Sequence, residues 1–303
     1  MSSALVAVDW GTSTLRAALL GDQGQVLEEH HSSDGILAVP AGGYAPVFLK
    51  TCARWMRAPG TLFLLSGMVG SRQGWLEAPY CPCPAGFAKL AAQVAPVDAG
   101  LANARVAIVP GMSCERDGLP DVMRGEETQV FGALDLLGLQ DGLFVLPGTH
   151  SKWVHVAQRR IEGFSTFMTG EFYALLRQHS LLGRGMPEHD GPLDEDAFGR
   201  GLAQALRSAS LLRSAFSTRT LALFGRLPAQ ALPSYLSGLV IGEELRVQQQ
   251  LARSTPVVLV GAPELTLRYQ LALAALGVQA QRVGSEATWR GLWAIARTLK
   301  ETP

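Results

Sequence analysis

Ala4-Leu-Val-Ala-Val-Asp-Trp-Gly-Thr-Ser-Thr-Leu-Arg16 carries the strongest structural signal in the chain. The apolar run Leu5 to Val8 reads as a buried strand that ends on Asp9. Gly11, Thr12, Ser13 and Thr14 then form a tight turn into a second apolar run, Leu15 to Leu20. A turn of glycine and small hydroxyl residues lets backbone N–H groups and hydroxyls come close to a phosphate. A carboxylate at the strand end can hold Mg²⁺, directly or through water. Together they make a site for the β- and γ-phosphates of ATP, with a plain hairpin and polar turn as the competing reading.

The rest of the composition sets the class. At 303 residues, 48% apolar and 17% charged, the chain is a globular protein long enough for two domains. A formal net charge of zero gives no electrostatic footprint for nucleic acid or an anionic membrane. The sequence has no run of 18 apolar residues and no basic segment at its start, so a cytoplasmic location is expected, with neither membrane nor nucleic acid as partner. Cys52, Cys81, Cys83 and Cys114 have no framework spacing, and Cys81-Pro-Cys83 lacks a second ligand pair for zinc. Lysine is scarce, which draws attention to Lys152.

Outward from the opening strand, Gly21-Asp-Gln-Gly24 followed by Val26 and Leu27 extends a hairpin. A helix is expected over 45–57, strands at 61–65 and 105–109, and a helix over 127–138 with Val130, Phe131, Leu134 and Leu137 on one face. Near residue 140 the pattern restarts. Strand 143–146, the turn Pro147-Gly-Thr-His-Ser151, and strands 152–156 and 159–167 repeat the opening. Helices follow at 169–178, 195–208, 211–225 and 231–252. The end reads as strand 256–260, helix 264–276, strand 278–282 and helix 285–299. Two strand–glycine-turn–strand units suggest an internal duplication, with an N-terminal lobe at 1–140 and a C-terminal lobe at 141–303. No G-x-x-x-x-G-K-[ST] and no strand-borne G-x-G-x-x-G occurs, which argues against P-loop and Rossmann nucleotide binding.

Asp9-Trp-Gly-Thr-Ser-Thr-Leu-Arg16 resembles the first phosphate motif of the actin-like, sugar-kinase and heat-shock ATPase superfamily. Further segments resemble the 2-dehydro-3-deoxygalactonate kinase family: Ser66-Gly-Met-Val-Gly-Ser-Arg-Gln-Gly-Trp75, Glu77-Ala-Pro-Tyr80, Val109-Pro-Gly-Met112 and Met123-Arg-Gly-Glu-Glu-Thr-Gln129. Leu146-Pro-Gly-Thr-His-Ser-Lys-Trp153, Phe167-Met-Thr-Gly-Glu-Phe-Tyr173 and Tyr235-Leu-Ser-Gly-Leu-Val-Ile-Gly-Glu-Glu244 complete a set that spans most of the chain in order. The resemblance implies a two-lobed α/β chain of the actin-like ATPase (ribonuclease H-like) fold, each lobe a mixed sheet flanked by helices. It also implies ATP- and Mg²⁺-dependent phosphorylation of the 6-hydroxyl of 2-dehydro-3-deoxy-D-galactonate, in galactonate breakdown, with the lobes closing over the substrate. A phosphohydrolase of the exopolyphosphatase type and a non-catalytic sugar-acid sensor are the alternatives. The oligomeric state is open, a homodimer among the options.

On this reading Asp9 handles the metal, while Gly11, Thr12, Ser13 and Gly148, Thr149, His150 hold phosphates. Gly261-Ala262 resembles the family's adenosine turn. The superfamily often carries an Asp before its second turn, but here Leu146 aligns with Asp9, so the catalytic base must come from elsewhere. Glu126 or Glu127, in the first turn of a helix, fills that place best, with His150 as the other candidate and plain stabilisation of the helix start as the competing reading; a similar Gly-Glu-Glu occurs in the exopolyphosphatase branch. Lys152 either reaches a phosphate as a point charge or is a surface lysine. For the acid substrate, Arg72 offers a carboxylate fork, Ser71 and Gln73 hydrogen bonds, and Trp75 an apolar cover, with Arg124 as the competing cation. Gly238 and Gly242 allow close helix approach, at a hinge or in plain packing.

Overall fold

The computed structural model describes residues 5–56, 60–248 and 256–301. The chain opens with β1 (Leu5–Trp10), β2 (Leu15–Leu20), β3 (Val26–Ser32), α1 (Tyr44–Cys52) and β4 (Thr61–Ser66). It continues through β5 (Tyr80–Pro82), α2 (Phe87–Ala91), β6 (Ala95–Val97), β7 (Ala104–Ile108), β8 (Gly111–Arg116), β9 (Leu119–Met123) and α3 (Glu126–Leu137). The second half runs β10 (Gly142–Leu146), β11 (Ser151–Ala157), β12 (Arg160–Phe167), α4 (Thr169–His179), α5 (Glu195–Arg207), α6 (Leu211–Ala215), α7 (Ser217–Leu223) and α8 (Leu232–Gln248). It closes with β13 (Val257–Val260), α9 (Pro263–Ala275), β14 (Ala280–Val283) and α10 (Glu286–Glu301).

A six-stranded sheet has the order β3-β2-β1-β4-β7-β6, and a five-stranded sheet the order β12-β11-β10-β13-β14. In each, a hairpin is laid outward from the opening strand, and the later strands add on its other side. The duplication read from the two glycine turns therefore recurs as sheet order. In the first sheet β1 pairs antiparallel with β2 and parallel with β4, so β1 is buried on both faces and is apolar from Leu5 to Val8. A small third sheet, β5-β8-β9, was not expected, because three-residue Tyr-Cys-Pro and the charged end of β8 show no alternation.

The chain divides into two compact units. One comprises Met1–Phe144, Val154–Ser165 and Val283–Pro303; the other comprises Val145–Trp153 and Thr166–Arg282. The first unit has a core around Val6, Val8, Trp10, Phe48, Phe63, Leu65 and Ile108, with Trp10 set edge-on to Tyr44 and Trp75. α3 and α10 pack through glycines: a side-chain carbon added at Gly132 would lie 1.7 Å from the Ala287 carbonyl oxygen. In the second unit α5 and α8 are equally close, since a carbon added at Gly238 would lie 2.1 Å from the Phe198 oxygen. Gly242 meets Ala205 in the same way, so both glycines serve packing inside one unit, and no hinge role is needed to explain them.

Other differences are local. The helix expected over 211–225 is two short ones, α6 and α7. The expected end of the 231–252 helix lies outside the described residues. Among the described residues no helix is long and apolar enough to cross a membrane.

Candidate active site

Three chain segments meet at the end of β1. Asp9 stands beside Ser66 in the parallel β1–β4 register and opposite Arg16 across the hairpin. A carbon added at Gly67 would lie 2.9 Å from the Trp10 carbonyl and 3.4 Å from Asp9 Oδ1. One added at Gly125 would lie 3.2 Å from the Gly67 Cα. Both glycines have positive φ, 95° and 104°, so these close approaches need residues without a side chain. The result sets the Asp9 strand end, the Ser66-Gly67 strand end and the start of α3 against one another.

The first glycine turn is shaped by its own backbone and by a strap. Gly11 N–H donates to the Thr14 carbonyl at 2.9 Å. Ile36 and Leu37 N–H donate to the carbonyls of Gly11 and Thr12, and the Trp10 indole donates to the Asp34 carbonyl at 2.8 Å. Gly35 lies against Ser13 with no room for a side chain. Thr12, Ser13 and Thr14 stay exposed, with hydroxyls free to meet a ligand. Asp9 forms an ion pair with Arg16, whose guanidinium also lies over the Trp289 ring at 5.4 Å. Arg16 was not singled out from the sequence, although hairpin register across a four-residue turn places it opposite Asp9.

At the start of α3 the two carboxylates differ. Glu126 is partly exposed and accepts from the Arg124 N–H at 2.9 Å. Glu127 is fully buried and accepts from the Gly125 N–H at 2.7 Å and from Thr128 Oγ1 at 3.1 Å. Thr128 in turn lies 2.9 Å from Ser66 Oγ. Burial first, then the neighbouring Glu126 charge, pushes the Glu127 carboxyl up to about 8. Of the two, Glu126 is the one with solvent-accessible surface.

The glycine-rich loop after β4 lines a cavity of about 640 Å³ with Arg72, Gln73, Gly74 and Trp75, faced by Tyr44 and Leu37. Tyr44 OH donates to the Gln73 carbonyl at 2.6 Å and pins the loop. Ser71 and Arg124 do not line this cavity. Arg124 is buried over the Tyr80 ring and donates to the Ala78 carbonyl at 2.8 Å, while its Nε, its Nη1 and Ser71 Oγ lack partners.

In the second unit the turn after β10 leaves Thr149 and His150 exposed. His150 Nε2 lies 2.5 Å from Glu171 Oε2. Lys152 is buried, with Nζ donating to Thr166 Oγ1 at 2.9 Å, which corrects the surface-lysine alternative: β11 is covered on both faces there. Gly261 approaches the turn, a carbon added there lying 3.7 Å from the Pro147 carbonyl. A cavity of about 210 Å³ opens beside the turn, lined by Gly148, Gly170, Ser237, Ile241, Leu265 and Arg268. Ala262 is exposed at the start of α9. Beneath the turn lies Glu244, a buried carboxylate that the sequence showed only as the end of a motif.

Among the described residues no three His, Cys, Asp or Glu side chains gather as a metal cage. One carboxylate beside exposed hydroxyls suits Mg²⁺ that brings water and phosphate oxygens as its other ligands. Asp9, ion-paired with Arg16, fits that role.

Comparison with known proteins gives the family and the fold. Residues 9–295 match the family described as 2-keto-3-deoxy-galactonokinase. The 2-dehydro-3-deoxygalactonokinase of Escherichia coli K12 is 36% identical over 302 residues, 99% of each chain. The crystal structure of a Sinorhizobium meliloti protein assigned to the 2-dehydro-3-deoxygalactonokinases superposes with a TM-score of 0.89 at 35% identity, covering 97% of this chain and 98% of that one. Component A of the Acidaminococcus fermentans (R)-2-hydroxyglutaryl-CoA dehydratase, 13% identical over 99% of each chain, shares the fold with a TM-score of 0.53. The expected actin-like ATPase fold, mixed sheets flanked by helices, is the one observed. By sequence, over almost its whole length, and by fold, the chain belongs to the 2-keto-3-deoxy-galactonokinase family.

Proposed function

We propose that this protein transfers the γ-phosphoryl group of ATP to the 6-hydroxyl of 2-dehydro-3-deoxy-D-galactonate in the cytoplasm, giving 2-dehydro-3-deoxy-6-phospho-D-galactonate and ADP. The observation that carries the reading is the convergence of Asp9, Gly67 and the Gly125-Glu126-Glu127 helix start in one unit. Glu126 takes the proton from the sugar 6-hydroxyl as its oxygen bonds to phosphorus, and the bond from phosphorus to the bridging β–γ oxygen breaks to release ADP. Glu127 sits behind it and fixes the Gly125 turn. Asp9 is the residue that would hold Mg²⁺, which when bound neutralises charge on the phosphates. Gly11, Thr12 and Ser13 offer backbone and hydroxyl donors to the same phosphates.

The cavity walled by Arg72, Gln73 and Trp75 suits the sugar acid: a guanidinium fork for the carboxylate, amide hydrogen bonds, and an aromatic face for C–H groups. Ser71 and Arg124 support that loop from behind, and Arg124 keeps unpaired donors for an anion that reaches it. Gly148, Thr149 and His150, with the neighbouring cavity beside Gly261 and Ala262, suit the nucleotide. Lys152 underlies that turn. Release of ADP across a panel of sugar acids tests the assignment. Turnover that needs this six-carbon 2-keto-3-deoxy acid supports it, and ATP hydrolysis at the same rate without any sugar acid would overturn it.

A further inference from the structure

Within the second unit one carboxylate gathers four donors. Glu244, on α8 and only 3% exposed, accepts through Oε1 from Ser151 Oγ at 2.8 Å and Trp153 Nε1 at 2.5 Å. Through Oε2 it accepts from Tyr269 OH at 2.6 Å and from Thr169 Oγ1. Tyr269 OH also reaches Ser151 Oγ at 3.3 Å. The donors come from β11 directly after the second glycine turn, from the first residue of α4, and from α9.

A buried carboxylate is costly unless every lone pair is met, and apolar residues of similar volume would stabilise a core at least as well. Its use here specifies position. Burial raises the Glu244 pKa, and the four hydrogen bonds oppose that rise. The turn is gripped on its other side by α4. Glu171 N–H donates to the Thr149 carbonyl at 2.9 Å, and a carbon added at Gly170 would lie 2.3 Å from the Gly148 carbonyl. Thr169 and Tyr269 also line the cavity beside the turn. The knot therefore ties the turn, the α4 start and the cavity wall to one point.

We infer that Glu244 is a positioning residue for the nucleotide: it fixes the Gly148–His150 turn and the adjoining cavity wall so that their donors meet the phosphates without rearrangement. The inference rests on the nucleotide role proposed above for that turn. Glu244→Gln keeps the shape of the side chain but replaces one of its two acceptor oxygens with an NH2 donor. The hydroxyls of Thr169 and Tyr269 can reverse to meet it only by giving up their present geometry.

The test is ADP binding by calorimetry together with steady-state kinetics, on variants whose folding is checked by circular dichroism and melting. Glu244→Gln is expected to weaken ADP and raise the ATP KM by about tenfold, with the sugar-acid KM held within about twofold. Tyr269→Phe, which removes one donor, gives the same selective loss at about threefold, and less than that when added to Glu244→Gln. A folded Glu244→Gln that binds ADP like the wild type would overturn the inference. So would Glu244→Gln or Tyr269→Phe losing activity only in step with its folded fraction, with both KM values unchanged. A wild-type protein that binds no ADP would instead remove the nucleotide reading, and this inference with it.

Discussion

Glu126 and Glu127 are neighbours in sequence with opposite surroundings, one partly open and one fully enclosed. Loss of a positioned base costs about 10²–10⁴-fold in rate, so Glu126→Gln should lower kcat by about 10²-fold or more with sugar-acid KM little changed. His150→Asn, whose ring is engaged by Glu171, should stay within about tenfold of wild type in the same assay. A reversed ranking would make His150 the base. Glu127 gives a different signal. In the folded chain its carboxyl keeps its proton up to about pH 8, while in the unfolded chain it ionises near 4.5. Unfolding therefore releases a proton in that window, so its contribution to stability is full below about 4.5 and declines as pH rises to about 8. Denaturant midpoints of wild type and Glu127→Gln should diverge as pH rises through that range, the variant gaining relative stability. Parallel curves would contradict the buried, protonated carboxyl.

At the scale of elements, what was legible followed local pattern. The β1–β2–β3 hairpin series, both glycine turns, α3 and the α9–β14–α10 end are marked by apolar periodicity, glycine and helix-start chemistry within a few residues. β5, α2 and β6 are short and carry no period, so no window reads them. The site residues that escaped are those defined by distant partners. Glu244 meets Ser151, Trp153 and Thr169 from sequence separations of 93, 91 and 75 residues, and no local pattern announces such a knot. Ser71 and Arg124 were read together with Arg72, yet neither lines its cavity: Ser71 is buried within the loop, and Arg124, after β9, is buried against Ala78 and the Tyr80 ring, contacts that no local pattern announces. Arg72→Lys should accordingly raise the sugar-acid KM with little change in the ATP KM, since the guanidinium fork is lost and the charge kept. Loss of ATP affinity alone would move Arg72 to the nucleotide. Packing between α5 and α8 has its own test. Gly238→Ala drives a methyl into the Phe198 carbonyl, and overpacking of this kind costs about 1–3 kcal/mol, read as a lower denaturant midpoint. An unchanged midpoint would mean the two helices can separate at no cost.

At the scale of the whole chain, two sheets repeat one strand order, and each opens with a strand, a glycine turn and a hairpin. The repeat is faint in sequence because only the turns are constrained by chemistry, whereas the strands need only be apolar. The copies have diverged in charge at the position before the turn. Asp9 precedes the first and Leu146 ends the strand before the second, so under the proposed mechanism the metal-facing carboxylate belongs to one copy and the base to α3. That division of labour makes Asp9→Asn a sharp variant: kcat should fall by about 10²-fold or more, with melting temperature nearly unchanged. The whole account stands on transfer to a sugar hydroxyl in preference to water. Phosphorus NMR of the wild-type reaction with ATP, Mg²⁺ and 2-dehydro-3-deoxy-D-galactonate measures this directly. The account expects one new phosphomonoester, coupled to the C6 protons, for each ADP formed. Inorganic phosphate accumulating in step with ADP, with no phosphomonoester, would contradict it.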